Sequence, residues 1–170
     1  MQYELTTPCT AADLAPLKAG DTVLLSGVVY TARDQAHKRM LEALDKGEKL
    51  PFDLEGSAIY YVGPTPERPG EVIGRLLDLG NKIMIGKGKR DAAVKEAVVR
   101  NGAVYLAALG GAGALMAQSV KTLEVIAWPD LGCEAVRRLT VEKMPLTVIL
   151  DAHGGDLYTS GPAAYLETVK

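Results

Sequence analysis

Three segments of the sequence place small or cationic residues where a predicted strand passes into a predicted helix: residues 30–34, 85–91 and 110–113. The first backbone N–H groups of a helix lack hydrogen-bond partners, and the helix dipole favours negative charge at that end. Such joins therefore bind anions. Open α/β sheets collect these joins at the carboxyl edge of their strands, where ligands bind. The pattern indicates binding of a small dicarboxylate or a phosphate.

The two cationic joins each allow a second interpretation. Arg33 and Asp34 equally suit an exposed first helical turn with a local ion pair. Lys87 lies between Gly86 and Gly88, which let the backbone approach a ligand closely, although glycine–lysine turns are also common in loops. The pattern therefore names Arg33 and Lys87 as candidate anion ligands and leaves the structural alternative open for each.

Other candidate residues carry weaker signals. The glycine run 110–113 lacks the spacing and the acidic partner of a dinucleotide site, so we expect it to allow close packing of a helix on a strand. His37 lies one helical turn after Arg33, where a helix-surface role is expected. Cys133 is expected to be a small buried residue, and His153 to lie in a solvated turn.

Composition describes a folded globule, and we expect residues 1–170 to form one domain. The 19 Lys and Arg residues nearly balance the 21 Asp and Glu residues, which argues against a basic face for nucleic acid or membrane. Two cysteines and two histidines cannot form a disulfide framework or a self-contained zinc or iron–sulfur site. The N-terminus lacks the apolar segment of a secretory signal, so we expect a cytoplasmic location.

Short apolar runs alternate with amphipathic stretches along the chain. Strands are predicted at residues 21–30, 57–62, 82–86, 103–106, 123–128, 139–144, 147–151 and 156–158. Helices are predicted at residues 32–45, 72–79, 91–100 and 131–137, with a further short helix beginning at Ala114. This order predicts an α/β fold with extra β-structure at the ends rather than a regular doubly wound sheet.

Four segments in order carry a family resemblance: GVVYTARDQAHKRM, IYYVGPTPERPGEVIG, MIGKGKR and LGCEAVRRLTVEKMP, the last followed by a strand and a DLY ending at Tyr158. Together they span nearly the whole chain and resemble the β subunit, or C-terminal domain, of class I fumarases and L-tartrate dehydratases. The resemblance implies a three-layer swivelling β/β/α domain that pairs with an α subunit, and we expect the assembly to be oligomeric.

The resemblance also implies a function for the cationic joins. In that family the α part holds a 4Fe-4S cluster on three cysteines, and the enzyme adds water reversibly to fumarate to give (S)-malate. This chain would then bind no metal. Arg33 matches the arginine of the ARD motif and Lys87 the lysine of the KG motif, so both are expected to bind substrate carboxylates, with Asp34, Gly86 and Gly88 beside them. L-Tartrate dehydratase stays open as an alternative, because the same cations suit either dicarboxylate.

One departure from the family leaves the catalytic residue unknown. Members continue the PGxVIG segment with a GPTTxxRMD stretch, whose first threonine is the proposed proton-transfer residue and whose arginine is a carboxylate ligand. Here Gly74 runs directly into Arg75, and nothing matches that stretch. Thr65 and Arg68 belong to the preceding segment, so neither they nor Arg75 should inherit these roles.

Two interpretations of this join are open. The chain either lacks the stretch and is a diverged or non-catalytic anion-binding partner subunit, or the printed sequence omits a mobile active-site loop. We favour the second, because the flanks on either side match the family and active-site loops are often mobile without the partner that orders them. The mass of the purified protein, compared with 18.1 kDa, decides between them.

Overall fold

The structure is a computed structural model that describes residues 1–61, 71–108 and 113–168. Its strands are β1 (Gln2–Thr6), β2 (Thr22–Thr31), β3 (Ala58–Tyr60), β4 (Ile83–Gly86), β5 (Val104–Ala108), β6 (Val120–Ala127) and β7 (Val136–Leu150). Its α-helices are α1 (Ala11–Leu14), α2 (Asp34–Asp45), α3 (Glu71–Asp78), α4 (Ala92–Arg100), α5 (Gly113–Ser119) and α6 (Leu157–Thr168), and a 3-10 helix spans Pro129–Glu134. The predicted α/β class is confirmed. Within the described ranges no helix has the length and apolar character needed to cross a bilayer.

The sheet has the strand order β1-β2-β3-β4-β5-β7-β6. Strands β1 to β5 pair in parallel, whereas β7 runs antiparallel to β5, β6 and β2. Because β7 pairs with both β5 and β2, the strands β2, β3, β4, β5 and β7 close into a barrel-like sheet. The parallel strands β2 to β5 consequently present their carboxyl ends at one rim.

Two apolar cores lie on opposite faces of the central strands. Ile83 and Ile85 of β4 point into one core, and Met84 between them points into the other, as the two-residue period of a strand requires. All three side chains are fully buried, which explains why β4 is apolar at every position instead of alternating. Helices α2, α3 and α4 cover the Met84 face through Met40, Leu77 and Val98 among others.

The predicted helix at residues 131–137 is wrong. The chain forms the 3-10 helix instead, which is preceded by left-handed backbone at Trp128 and interrupted at Gly132, where φ is 59° and ψ is −116°. Val136 already begins β7, because β2 and β6 offer hydrogen-bonding edges on both of its sides. Tertiary pairing therefore overrides the local helical pattern.

The predicted ends of the last strands are also corrected. The strands at 139–144 and 147–151 are one strand, β7, which continues through Pro145 opposite Leu24. Of the predicted strand at 156–158, only an isolated bridge between Leu150 and Asp156 forms, and α6 begins at Leu157. The strand β1 and the helices α1 and α6 were not predicted.

The join between Gly74 and Arg75 lies in the middle of α3. Ile73, Leu76 and Leu77 fall on one face of this helix and pack into the same core, with both leucines fully buried. A Cβ atom at Gly74 would stand 3.6 Å from that of Ala97, so α3 packs closely on α4 here. Residues on both sides of the join thus share one helical face.

Candidate functional site

The cationic joins meet at one rim of the sheet because of the strand register. Thr31 at the end of β2 pairs with Tyr60, and Tyr60 pairs with Ile85 of β4. Neighbouring strands lie about 4.8 Å apart, so β2 and β4 are about 10 Å apart. Arg33 lies two residues after Thr31, and Lys87 lies two residues after Ile85. The structure therefore brings the two predicted joins together.

Arg33 occupies the position before α2, with extended backbone and no side-chain cap on the helix. Its Nε lies 3.9 Å from Oε1 of Glu134 in the 3-10 helix, and both side chains are about one-quarter to one-third exposed. The local ion pair with Asp34 does not occur among the ion pairs of the described residues. Because the contact uses Nε, the two terminal nitrogens of Arg33 stay available for a carboxylate.

His37 is buried, and its predicted helix-surface position is wrong. Its ring stacks on that of Tyr61 with centroids 4.8 Å apart. Burial lowers the pKa of His37 to about 4, with the nearby Arg90 charge acting in the same direction. The imidazole is therefore neutral at physiological pH, so it does not add a third positive charge to the rim.

Lys87 is exposed at the tip of the Gly86–Gly88 segment, while Gly86 is buried. Gly88 has φ 91°, a left-handed conformation that favours glycine. The hydroxyl of Tyr105 donates a hydrogen bond to the carbonyl oxygen of Gly88 at 3.1 Å. The buried position of Gly86 and the left-handed backbone of Gly88 thus explain the two glycines beside Lys87. Lys87 itself makes no ion pair with a described residue.

The helix end behind Lys87 is not an open anion site. The carboxylate of Asp91 accepts a hydrogen bond from the backbone nitrogen of Val94 at 2.9 Å and caps α4. This corrects the prediction that free N–H groups define the second join. Anion attraction there rests on the Lys87 ammonium, whereas at α2 the helix end has no side-chain cap.

Sequence reasoning missed Arg90, which lies beneath the Lys87 segment. Its guanidinium carbon is 4.6 Å from the ring centroid of Tyr105 and 5.3 Å from that of Tyr61. Its Nε is buried without a hydrogen-bond partner. Burial raises the pKa of the Tyr61 phenol and raises that of Tyr105 to about 12, so both rings are neutral. Only its place in the GKGKR run could have drawn attention to Arg90.

The two cysteines do not form a site. Cys9 is buried, and its burial raises the pKa of its thiol to about 11, with a smaller contribution from the charge of Asp13. Cys133 is exposed in the 3-10 helix, which corrects the expectation of a buried residue. In the described part of the chain no three His, Cys, Asp or Glu residues come close enough to hold a metal. These donors do not fit an iron–sulfur cluster.

The remaining candidates lie elsewhere or outside the described residues. His153 is exposed, as expected, with Nε2 2.7 Å from the carbonyl oxygen of Ala15. Arg75 pairs with Asp45 at 2.6 Å. The stretch containing Thr65 and Arg68, and residues 110–112 of the glycine run, are outside the described residues.

A cavity of about 480 Å³ lies at the opposite end of the sheet from Arg33 and Lys87. It is lined by Lys95 and Val99 of α4 and by Leu150 and Asp151 at the end of β7. Since Leu150 pairs with Tyr105 near the start of β5, this cavity belongs to the amino ends of the parallel strands. It is separate from the rim that carries the candidate cations.

The family model described as Fumarase C-terminus matches residues 1–77 and 75–161 of the chain. The chain therefore belongs to the Fumarase C-terminus family. This match agrees with the motifs that surround Arg33 and Lys87.

Curated relatives of two lengths share this region. The chain is 39% identical to "Putative L(+)-tartrate dehydratase subunit beta" of Methanocaldococcus jannaschii, over 88% of this chain and 87% of the relative. It is 28% identical to the L(+)-tartrate dehydratase subunit beta of Escherichia coli strain K12, over 98% of this chain and 92% of the relative. It is 36% identical to fumarate hydratase 2 of Leishmania major, over 86% of this chain but only 29% of the relative. The chain thus spans most of the two tartrate dehydratase β subunits and under a third of the fumarate hydratase.

The same matches bear on the join after Gly74. The two segments of the family match meet at residues 75–77, inside α3. The alignment with the Escherichia coli subunit extends over 187 positions, more than the 170 residues of this chain. That relative therefore has residues within the aligned region that this chain lacks, which supports a departure from the family pattern.

Proposed function

We propose that this chain is the β subunit of a hydro-lyase that adds water reversibly to fumarate to give (S)-malate, in a site shared with an α subunit. The observation that carries the proposal is the placement of Arg33 and Lys87 at one rim, separated by a single strand. Membership in the Fumarase C-terminus family supports the same activity.

The two cations suit the two ends of a dicarboxylate. The terminal nitrogens of Arg33 form a planar fork that matches a carboxylate with two hydrogen bonds. Lys87 acts as a point charge toward the second carboxylate, and Gly86 and Gly88 let the backbone come close to it. Asp34, at the first position of α2, lies beside the Arg33 carboxylate site.

Fixed cations would contribute to the chemical step as well as to binding. When a proton leaves the carbon next to a carboxylate, negative charge builds on that carboxylate. Preorganised positive groups stabilise such charge without reorganising, and removal of one donor typically costs about 10²–10³ in rate. The residue of this chain that would move the proton is unassigned.

The 4Fe-4S cluster of the proposed enzyme belongs on the α subunit, because the donors among the described residues of this chain do not fit it. We further propose a cytoplasmic heteromer in which this chain forms a three-layer swivelling β/β/α domain. The barrel-like closure through β7 and the helices on one face are compatible with that arrangement.

Two alternatives are each favoured by an observation. L-Tartrate dehydratase is favoured by the names of the relatives that match this chain over most of their length. A non-catalytic anion-binding partner subunit is favoured by the alignment with the Escherichia coli subunit, which has residues in the aligned region that this chain lacks.

Co-expression with a cluster-bearing α subunit tests the proposal. Iron and sulfide content would establish that the complex carries its cluster, and fumarate consumption would be followed beside elimination from malate and L-tartrate. We expect no turnover by either subunit alone and fumarate hydration by the complex. Preference for L-tartrate would select the first alternative, and ligand binding without turnover the second. A loaded complex with neither binding nor turnover would contradict all three.

A further inference from the structure

Arg90 is held against the segment that carries Lys87. A Cβ atom at Gly86 would stand 3.0 Å from Nη2 of Arg90, so the guanidinium lies directly against the bare Cα of that glycine. The same Cβ atom would stand 3.6 Å from the ring and hydroxyl of Tyr105. The start of the segment therefore rests on the guanidinium and on Tyr105.

The other end of the segment is fixed by the same tyrosine. Tyr105 donates its hydroxyl hydrogen to the carbonyl oxygen of Gly88, and its ring face carries the Arg90 guanidinium. Tyr61 supplies a second ring, on which His37 also stacks. The two glycines on either side of Lys87 thus contact one packed group of Arg90 and Tyr105.

The charge of Arg90 is not neutralised by an acid in the described residues, where no ion pair includes it. Arginine does not lose its proton in proteins, so the charge persists. Aromatic ring faces attract a cation but do not cancel its charge. The guanidinium lies against Gly86, the residue before Lys87, so the positive potential of Arg90 extends to the Lys87 segment.

We propose that Arg90 is a positioning residue for Lys87: clamped between Tyr61 and Tyr105, it fixes the Gly86–Gly88 segment and adds positive potential to the carboxylate-binding site. The substrate class, a small dicarboxylate, rests on the function proposed above. The positioning of Lys87 by Arg90 does not depend on that function, since it follows from contacts within this chain.

Steady-state kinetics of the α–β complex with fumarate provide one test. We expect Arg90→Met to raise KM about tenfold and to lower kcat less, because the charge and the clamp are both lost while the substrate is not contacted. Arg90→Lys retains the charge without the planar stack and should recover part of the loss. Arg100→Met is the matched control, since Arg100 pairs with Asp78 on an exposed surface. A KM unchanged in Arg90→Met would overturn the contribution to binding.

The isolated chain provides a test that needs no activity. Backbone amide signals of Gly86 and Gly88 in a ¹⁵N-labelled sample report the order of the segment. We expect Arg90→Met and Tyr105→Phe to shift and broaden both signals, with the Arg100→Met spectrum unchanged there. If Arg90→Met does not fold, Gly86→Ala displaces the guanidinium by steric contact and should shift and broaden the remaining Gly88 signal. Unaltered glycine signals in the folded variants would overturn the positioning role, whereas an inactive wild-type complex would overturn only the proposed function.

Discussion

The carbonyl oxygen of Arg33 accepts two hydrogen bonds from His37, one from its backbone nitrogen at 2.8 Å and one from Nδ1 at 2.9 Å. Since a carbonyl oxygen only accepts, the geometry assigns the ring proton to Nδ1. The buried imidazole thereby fixes the backbone of the arginine from inside the fold. His37 therefore belongs to the support of the candidate site.

This buried histidine predicts a loss of stability in mild acid. Its pKa falls from an ordinary value of 6.5 to about 4 in the folded chain. Between these values the unfolded chain binds a proton that the folded chain does not, so the free energy of unfolding decreases as pH falls from 6.5 to about 4. The shift corresponds to about 3 kcal/mol, measurable by urea denaturation across this pH range.

The variant His37→Asn isolates that effect. The asparagine amide can still donate toward the Arg33 carbonyl oxygen, but it does not titrate. Most of the change in the free energy of unfolding between pH 6.5 and 4 should therefore disappear. His153→Asn is the control, because His153 is exposed and its replacement should leave the slope in place. An unchanged slope in His37→Asn would show that other groups cause the acid sensitivity.

Local patterns predicted the parallel part of the fold better than its closure. Strands such as β4 and helices such as α4 combine apolar runs with clear stop signals, and both lie within one residue of their predicted bounds. The closure depends on β7, whose pairing with β2 joins residues far apart in sequence, such as Val23 and Leu146. No local signal encodes that pairing, so residues 131–137 gave a false helix.

The carboxylate of Glu134 predicts a second measurable effect. At 3.9 Å from Arg33 Nε it is too far for a hydrogen bond and does not fix the direction of the guanidinium. Its main effect on a bound anion is therefore repulsion. Glu134→Gln should tighten inhibition of the α–β complex by succinate, an unreactive dicarboxylate, by about threefold at low salt and less at high salt.

Glu124→Gln serves as the comparison for that experiment. Glu124 pairs with Arg138 at 2.7 Å on the exposed side of β6 and β7, so succinate inhibition should not change. Weaker inhibition in Glu134→Gln would mean that Glu134 orients Arg33 instead of competing with the ligand.

The join in α3 predicts the mass of the purified protein. If residues Gly74 and Arg75 are truly consecutive, intact-mass spectrometry gives 18.1 kDa, and a peptide spanning the join is recovered after digestion. A heavier protein without that peptide would establish the interpretation of an omitted loop.

The candidate site was predictable only where residue type and spacing carry the signal. Arg33 and Lys87 stand at strand ends, so parallel topology alone brings them to one rim. Arg90, Tyr61 and Tyr105 come from three different elements and meet only through packing, which no spacing in the sequence reveals. The helix end of α2 has no side-chain cap, and the capping of α4 by Asp91 was not predicted.

The central claim is that this chain supplies the cations that bind the substrate carboxylates. The most direct test is kcat/KM for fumarate of α–β complexes that carry Arg33→Ala or Lys87→Ala, with Lys89→Ala as the control in the same exposed segment. We expect each of the first two to lose about 10²–10³ and the control to lose less than about threefold. Full activity in both Arg33→Ala and Lys87→Ala would contradict the account.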